Sequence, residues 1–492
     1  MKALSGLPRL SLQLAGSALD AAELEALDAV RIQERLSLPA QCELTFVDPP
    51  AAFSERSLSA GASVLLAVDA GDTLFEGEVI AVELVFTAAR QREVRVRAYD
   101  KLHRLRRKQP VRALAQITIG DLASQLAAEV GLSADAEDAG PQWPWIVQWR
   151  QTNLELLADL AMRAGLYLTL RGDVVHLVTL AGFGPKVELS VDDELLECSV
   201  ELNGDGACNE VSAAGWDLGA VELHEERADS PRTAGAPAAH FVADTEGPWM
   251  LGDEPAPAAE HPKAAAQAEL DRRAARAAIL RGVADGDARL HPGVAVKLRG
   301  TPDTIADSYV LCSVNHVIDS RRGFVSELST EPPPRPPRAR ATGAIAGRVT
   351  RLDGDNGRVK VELPSLGKVE SDWLQVLAPG AGAGKGFVAL PDVGDTVLVL
   401  LAHGDPAQGV VLGGLFGGSG PKDAGIVGGG IQRSTWRSAG GHVLRFDDEK
   451  HKLVIQDSSG NGLELSPDGV KLSAASGKRV VIRGNAIDFE RG

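Results

Sequence analysis

The sequence predicts a mainly β protein. Its parts are tandem β-barrels carrying a small α/β insert, a further small barrel, and a C-terminal prism of short strands intertwined from three chains. Three observations predict this. Short runs of alternating apolar and polar residues recur along most of the chain, the period of a strand with one buried face. A proline-rich run, Glu331-Pro332-Pro333-Pro334-Arg335-Pro336-Pro337-Arg338, cuts the chain in two and favours a stiff, extended linker over 331–342. After residue 434 the alternation becomes a repeated strand-and-turn phrase: Leu444/Phe446, Leu453/Ile455, Leu463/Leu465, Val470/Leu472, Val480/Ile482, Ile487/Phe489, separated by Gly, Asn and Asp.

Residues 1–330 read as two barrels around an insert at about 101–190. Strand signals open at Val30–Glu34 and Cys42–Val47, and continue at Val64–Val68, Phe75–Ile80 and Glu93–Ala98. Thr118 then opens a helix with Leu122, Leu126 and Val130 on one face, stopped by Gly131. A second helix starts near Thr152-Asn153, carries Leu156, Leu157 and Leu160, and ends at Gly165. Leu166–Leu170, the turn Arg171-Gly172-Asp173 and Val174–Val178 predict a hairpin. An Ala- and Arg-rich stretch at 262–281 predicts a helix. Strands return at Val294–Leu298 and Tyr309–Val314. Residues 343–418 read as about five strands of a Greek-key barrel, with 419–433 as a short linker to the strands of 434–492.

Those last strands are short and stacked without a second sheet or helix to cover them, so they are expected to need partner copies to hide their apolar side. Three copies meeting on an axis satisfy that need. The axial candidates are Leu444, Phe446, Ile455, Leu463, Leu465, Val470, Leu472, Val480 and Ile482.

Composition narrows the function. A length of 492 residues exceeds a single core, and 44% hydrophobic with 24% charged residues is globular. The formal charge of −16 argues against a nucleic-acid or anionic-membrane surface, and 4% aromatics leave few stacking platforms. Cys42, Cys198, Cys208 and Cys312 form no C-x-x-C pair, which fits buried thiols made in a reducing cytoplasm. The N-terminal residues contain no continuous apolar run, so no signal peptide is expected.

Motifs that suggest chemistry fail on their own residues. Gly380–Gly386 resembles a phosphate loop, yet a Walker A motif needs glycine where Pro379 stands and Ser or Thr at Gly386. His224-Glu225-Glu226 lacks the second histidine of a zincin, since Ala228 occupies that position. Ser419 precedes Gly420-Pro421, and the proline spoils a nucleophile elbow. No catalytic residue and no cofactor is expected. His442 is a candidate ligand for an axial ion, because a threefold axis would present it three times.

Residues 347–415 resemble the neck of contractile injection spikes. The resemblance runs through Gly347-Arg348-Val349-Thr350, Gly357–Val361, Trp373-Leu374-Gln375-Val376, Gly382–Val399, Gly404-Asp405-Pro406 and Val411–Leu415. The order is similar to that of the VgrG family of type VI secretion and of the fused hub-and-spike proteins of phage-tail-like particles. It implies an OB-fold at 343–418 and a trimeric β-helix at 434–492. Residues 438–448 and 455–463 resemble the family's β-helix phrase. The order barrel, helical insert, barrel at the N-terminus is similar to phage late-control hub proteins.

The resemblance implies a structural, non-enzymatic role as the trimeric central spike of a contractile injection machine. The expected partners are two further copies, an Hcp-like inner-tube protein, baseplate proteins, a PAAR-type tip protein at the C-terminal end and the target cell envelope, with no nucleic acid. Assembly is expected in the bacterial cytoplasm, followed by incorporation into a phage-tail-like particle. A spike-associated cell-wall hydrolase and a trimeric receptor-binding tail fibre stand as alternatives.

Overall fold

The computed structural model describes residues 7–475 except 51–52, 54–57, 70, 87, 89–91, 235–247, 253, 306 and 336–342. The chain divides into two compact units, Met1–Gly413 and Gly414–Gly492.

The backbone of the first unit is an eleven-stranded sheet in which the two barrel regions join edge to edge. Strands Leu10–Leu14, Ser17–Ala18, Leu27–Arg35, Leu38–Val47, Ser63–Val68, Asp72–Phe86 and Arg92–Tyr99 make up the N-terminal region. Leu195–Leu202, Ala278–Asp285, Ser313–Asp319 and Gly323–Ser329 belong to the second. The junction is the antiparallel pair Leu27–Arg35 and Ser313–Asp319, in register from Ser313 opposite Arg35 to Asp319 opposite Ala29. Alternation decides which residues face inward: Val30 and Ile32 are buried, whereas Arg31 and Gln33 are exposed. The first core holds Leu12, Leu14, Val30, Ile32, Leu44, Phe46 and Val96; the second holds Leu189, Leu280, Val296, Leu298, Leu311 and Val314.

The insert has its own core, in which Leu122, Leu126, Leu156, Leu157, Leu166 and Leu168 pack together. Helix α1 (Ala21–Glu25) precedes it. Helix α2 (Ile119–Ala128) starts at a capping box, with Thr118 and Asp121 satisfying each other's backbone amides. Helix α3 (Asn153–Arg163) repeats the device with Thr152 and Glu155. The hairpin at Tyr167–Arg171 and Val174–Val178 forms as expected. Helix α4 (Glu260–Ala277) is shorter than predicted: at Ala278 the chain becomes a strand instead of running on as helix to 281. The helix propensity of Ala278 through Arg281 loses to pairing on both sides, with Leu195–Leu202 and with Gly323–Ser329.

The 344–414 region forms a six-stranded sheet with order 369–370, 358–363, 344–353, 396–401, 409–414, 375–376. Its core of Val349, Val359, Val361, Leu363, Val397, Val399 and Val411 also takes in Val147 and Trp149 from the insert. There the buried Lys360 ammonium lies 4.3 Å from the Trp145 ring centre and 3.7 Å from Glu370. Gly347 is required in this barrel, because a Cβ there would lie 2.3 Å from a Val361 methyl.

In the second unit a short hairpin, Ile426–Val427 with Gly430–Ile431, precedes a five-stranded antiparallel meander. Among the described residues no helix is long and apolar enough to cross a membrane.

Candidate assembly surface

The meander runs through Arg433–Arg437, Val443–Asp447, Lys452–Gln456, Gly462–Ser466 and Gly469–Ser473. Short polar turns fix its register. Asp457 accepts from the amides of Ser459 (2.9 Å) and Asn461 (2.8 Å) and from Asn461 Nδ2 (2.7 Å). Asp447 accepts from the Lys450 amide at 3.0 Å.

Register then sorts the side chains by face. Trp436, Leu444, Ile455, Leu463 and Leu472 form one continuous cross-strand row. Phe446, Leu453, Leu465 and Val470 form the next row, two residues along each strand and therefore on the same face. The opposite face carries the row Thr435, Arg445, Val454, Glu464, Lys471. Charges pair there: Lys452 with Glu464 at 2.8 Å, and Arg433 with Asp423 at 3.1 Å. Arg433's hydrogen bond, helped by the Gly425 amide, holds the Asp423 carboxyl down at about 2.

The apolar face is uncovered among the described residues. Phe446 is 51% exposed, Ile455 49%, Leu472 57% and Val470 71%. Leu465 and Trp436 are exposed as well, while Leu444, Leu453 and Leu463 are half-buried. Fully covering a side chain of this size stabilises by roughly 1.5–3 kcal/mol, so finishing the burial of six half-exposed ones is worth on the order of 5–10 kcal/mol per chain. A face of this kind is an association surface or a liability.

Seven sequence-selected residues therefore share this face: Leu444, Phe446, Ile455, Leu463, Leu465, Val470 and Leu472. Val480 and Ile482 lie outside the described residues. Trp436 was missed, although its alternation with Ser434 was the available signal. His442 is exposed in the turn between the first two strands, where its amide donates to Ser438 Oγ at 3.1 Å, and it belongs to neither apolar row.

Residues 345–416 match the type VI secretion system/phage-baseplate injector OB domain. Residues 53–320, more than half of the chain, match the Alg8 N-terminal domain. A 94-residue stretch is 33% identical to the actin cross-linking toxin VgrG1 of Vibrio cholerae, covering 17% of this chain and 8% of the toxin. The chain thus spans less than a tenth of that relative's length.

Among solved structures, the E. coli c3393 protein, a type VI secretion component with structural similarity to the T4 tail proteins gp27 and gp5, superposes with a TM-score of 0.56. The identity is 14%, over 82% of this chain and 99% of that one. A chain of the half-lidded Francisella PdpA-VgrG complex gives 0.56 at 9% identity, over 96% of this chain and 89% of that one. A 43 kDa tail protein of prophage MuSo2 from Shewanella oneidensis gives 0.51 at 14% identity, over 65% of this chain and 97% of that one. At these identities the likeness is one of fold. The chain belongs to the family of the Alg8 N-terminal domain, continues into an injector OB domain, and resembles VgrG-like proteins.

Proposed function

We propose that three copies of this chain form the central spike of a contractile, phage-tail-like injection machine. The region up to residue 330 serves as the hub that meets an Hcp-like inner tube and the baseplate. Residues 343–418 form the neck. Residues 434–492 wind with two sister chains into a needle that a separate PAAR-type tip caps and that sheath contraction drives through the target envelope. The chain folds and assembles in the bacterial cytoplasm before joining the particle.

One observation carries this reading: the two aligned apolar rows of the meander, uncovered on a sheet whose other face is charged. Threefold closure places all three such faces on one axis. The role is mechanical and asks no residue to act as acid, base or nucleophile. Resistance to force comes from strands whose separation breaks many backbone hydrogen bonds together.

Native mass spectrometry and light scattering on the full chain test the proposal. A trimer that survives dilution is expected. A folded monomer whose C-terminal strands resist protease would overturn it. Zymography on the same trimer is expected to show no clearing of cell wall; clearing would return the hydrolase reading.

A further inference from the structure

Three ligating side chains meet in the first unit at a place that the spike reading does not use. Glu34 sits at an inward position of strand Leu27–Arg35, where alternation would place another Val or Ile. The register of the barrel junction sets Glu34 opposite Val314 and Ile32 opposite His316, so Glu34 and His316 are diagonal neighbours on the same buried face. His291 arrives from the loop ahead of strand Ala295–Arg299, with Nδ1 3.0 Å from a Glu34 carboxylate oxygen. One ligand atom from each of Glu34, His291 and His316 lies within 4.8 Å of the other two, and among the described residues this is the one such group.

The surroundings suit a metal. His316 is fully buried, and its Nε2 reaches the Leu290 carbonyl at 3.1 Å. That carbonyl accepts the Nε2 proton, so the lone pair is left on Nδ1. A ligating histidine is commonly fixed in this way by its other ring nitrogen. Without metal, the Ser326 hydroxyl lies 2.8 Å from Nδ1. A cavity of about 250 Å³, lined in part by Glu34, Asp100, Arg171 and His291, provides the entry path. Arg171 is the resident counter-cation, 3.8 Å from Glu34. It also donates to the Pro292 carbonyl at 3.3 Å, so it keeps a partner if an ion displaces it from Glu34.

We infer that Glu34, His291 and His316 form a structural divalent-metal site that rivets the two barrel regions together. Two imidazoles and one carboxylate suit zinc. Zinc bonds of 2.0–2.2 Å set neighbouring ligand atoms roughly 3.3 Å apart, close to the 3.0 Å that separates His291 Nδ1 from Glu34 and inside the 4.8 Å that bounds the group.

The test uses the full chain, loaded with Zn²⁺, desalted and assayed by elemental mass spectrometry, with affinity taken from chelator competition. About one zinc per chain is expected. Glu34→Gln, which is nearly isosteric, and His291→Ala should each weaken binding at least 10-fold. His442→Ala should leave it unchanged, which separates this site from any axial ion. Co²⁺ in place of Zn²⁺ should give a d–d absorption band that His291→Ala abolishes. Circular dichroism confirms that each variant is folded. No zinc above a desalted control, or zinc retained at full affinity by both hub variants, overturns the site.

Discussion

The two units of this protein solve the burial problem in different ways. In Met1–Gly413 the cores are closed within the same chain: Ile32, Leu44, Val96, Leu280 and Val361 are all essentially inaccessible, although Leu84, Phe86, Leu223 and Met250 stay exposed at strand ends and edges of the first unit. In Gly414–Gly492 the strands pair as regularly, with five in unbroken antiparallel register, yet Phe446, Ile455, Val470 and Leu472 remain at 49–71% exposure. Backbone ladders thus form in both units, while the buried hydrophobic cores among the described residues all lie in the first. A sheet can be complete in its ladders and unfinished in its core, and in the proposed spike two sister chains would supply the missing part.

The sharpest way to break this contrast is to place charge on the unfinished face. Phe446→Asp with Ile455→Asp would bring six carboxylates to the proposed axis, each stripped of water without a partner. The expected cost is at least about 4 kcal/mol per chain, or about a thousand-fold in association. Sedimentation velocity should show the trimer replaced by monomer, while the unfolding transition of the first unit keeps its midpoint. An unchanged trimer would mean that the C-terminal face is not what holds the copies together.

The legibility of each unit follows from the same physics. The meander was readable because period-2 alternation and Gly/Asn/Asp turns act locally: Leu444, Ile455, Leu463 and Leu472 could be picked out before their cross-strand row was known. The insert was equally open, since capping boxes at Thr118 and Thr152 are short-range signals. What local pattern could not supply was pairing between distant segments. Nothing around Leu27–Arg35 announces that its partner is Ser313–Asp319, nearly three hundred residues away, so the juxtaposition of Glu34 with His291 and His316 was invisible. The C-terminal end of α4 was misplaced for the same reason, because long-range pairing at Ala278 overrode helix propensity. The merging of Val147 and Trp149 into the 344–414 core likewise has no local signature.

Gly347→Ala sharpens the comparison from the other side. The added methyl would lie 2.3 Å from Val361 Cγ1 and 2.8 Å from the Glu362 carbonyl oxygen, in a core closed within one chain. Overpacking of this kind costs about 1–3 kcal/mol. In differential scanning calorimetry the first unit's transition should fall by several degrees, by the same amount at every protein concentration. The transition assigned to the C-terminal strands should instead move with concentration, since association contributes to its stability. A concentration-dependent shift for Gly347→Ala would show that the first unit, too, is completed by its partners.

The smallest effect expected is electrostatic and lies at the seam between the first barrel and the insert. Glu78 on strand Asp72–Phe86 bonds Arg104 Nε at 3.0 Å and Arg107 at 3.2 Å, both on the turn of helix that follows strand Arg92–Tyr99. Burial by itself would raise this carboxyl. The Arg104 hydrogen bond and charge, with His103 and Arg107 behind them, outweigh burial and hold it below its ordinary 4.5. A depressed carboxylate favours the folded state wherever the unfolded chain would be ionised. Its contribution is therefore full above about pH 4.5 and fades as pH falls through the folded value. Glu78→Gln should lower the first unit's melting temperature by a few degrees at most near neutrality, because partly solvated pairs contribute at most about 1 kcal/mol. The gap between variant and parent should close only once pH has fallen through the folded value, where Glu78 is protonated in both states of the parent. A constant gap across that range would assign the loss to packing at the seam and not to charge.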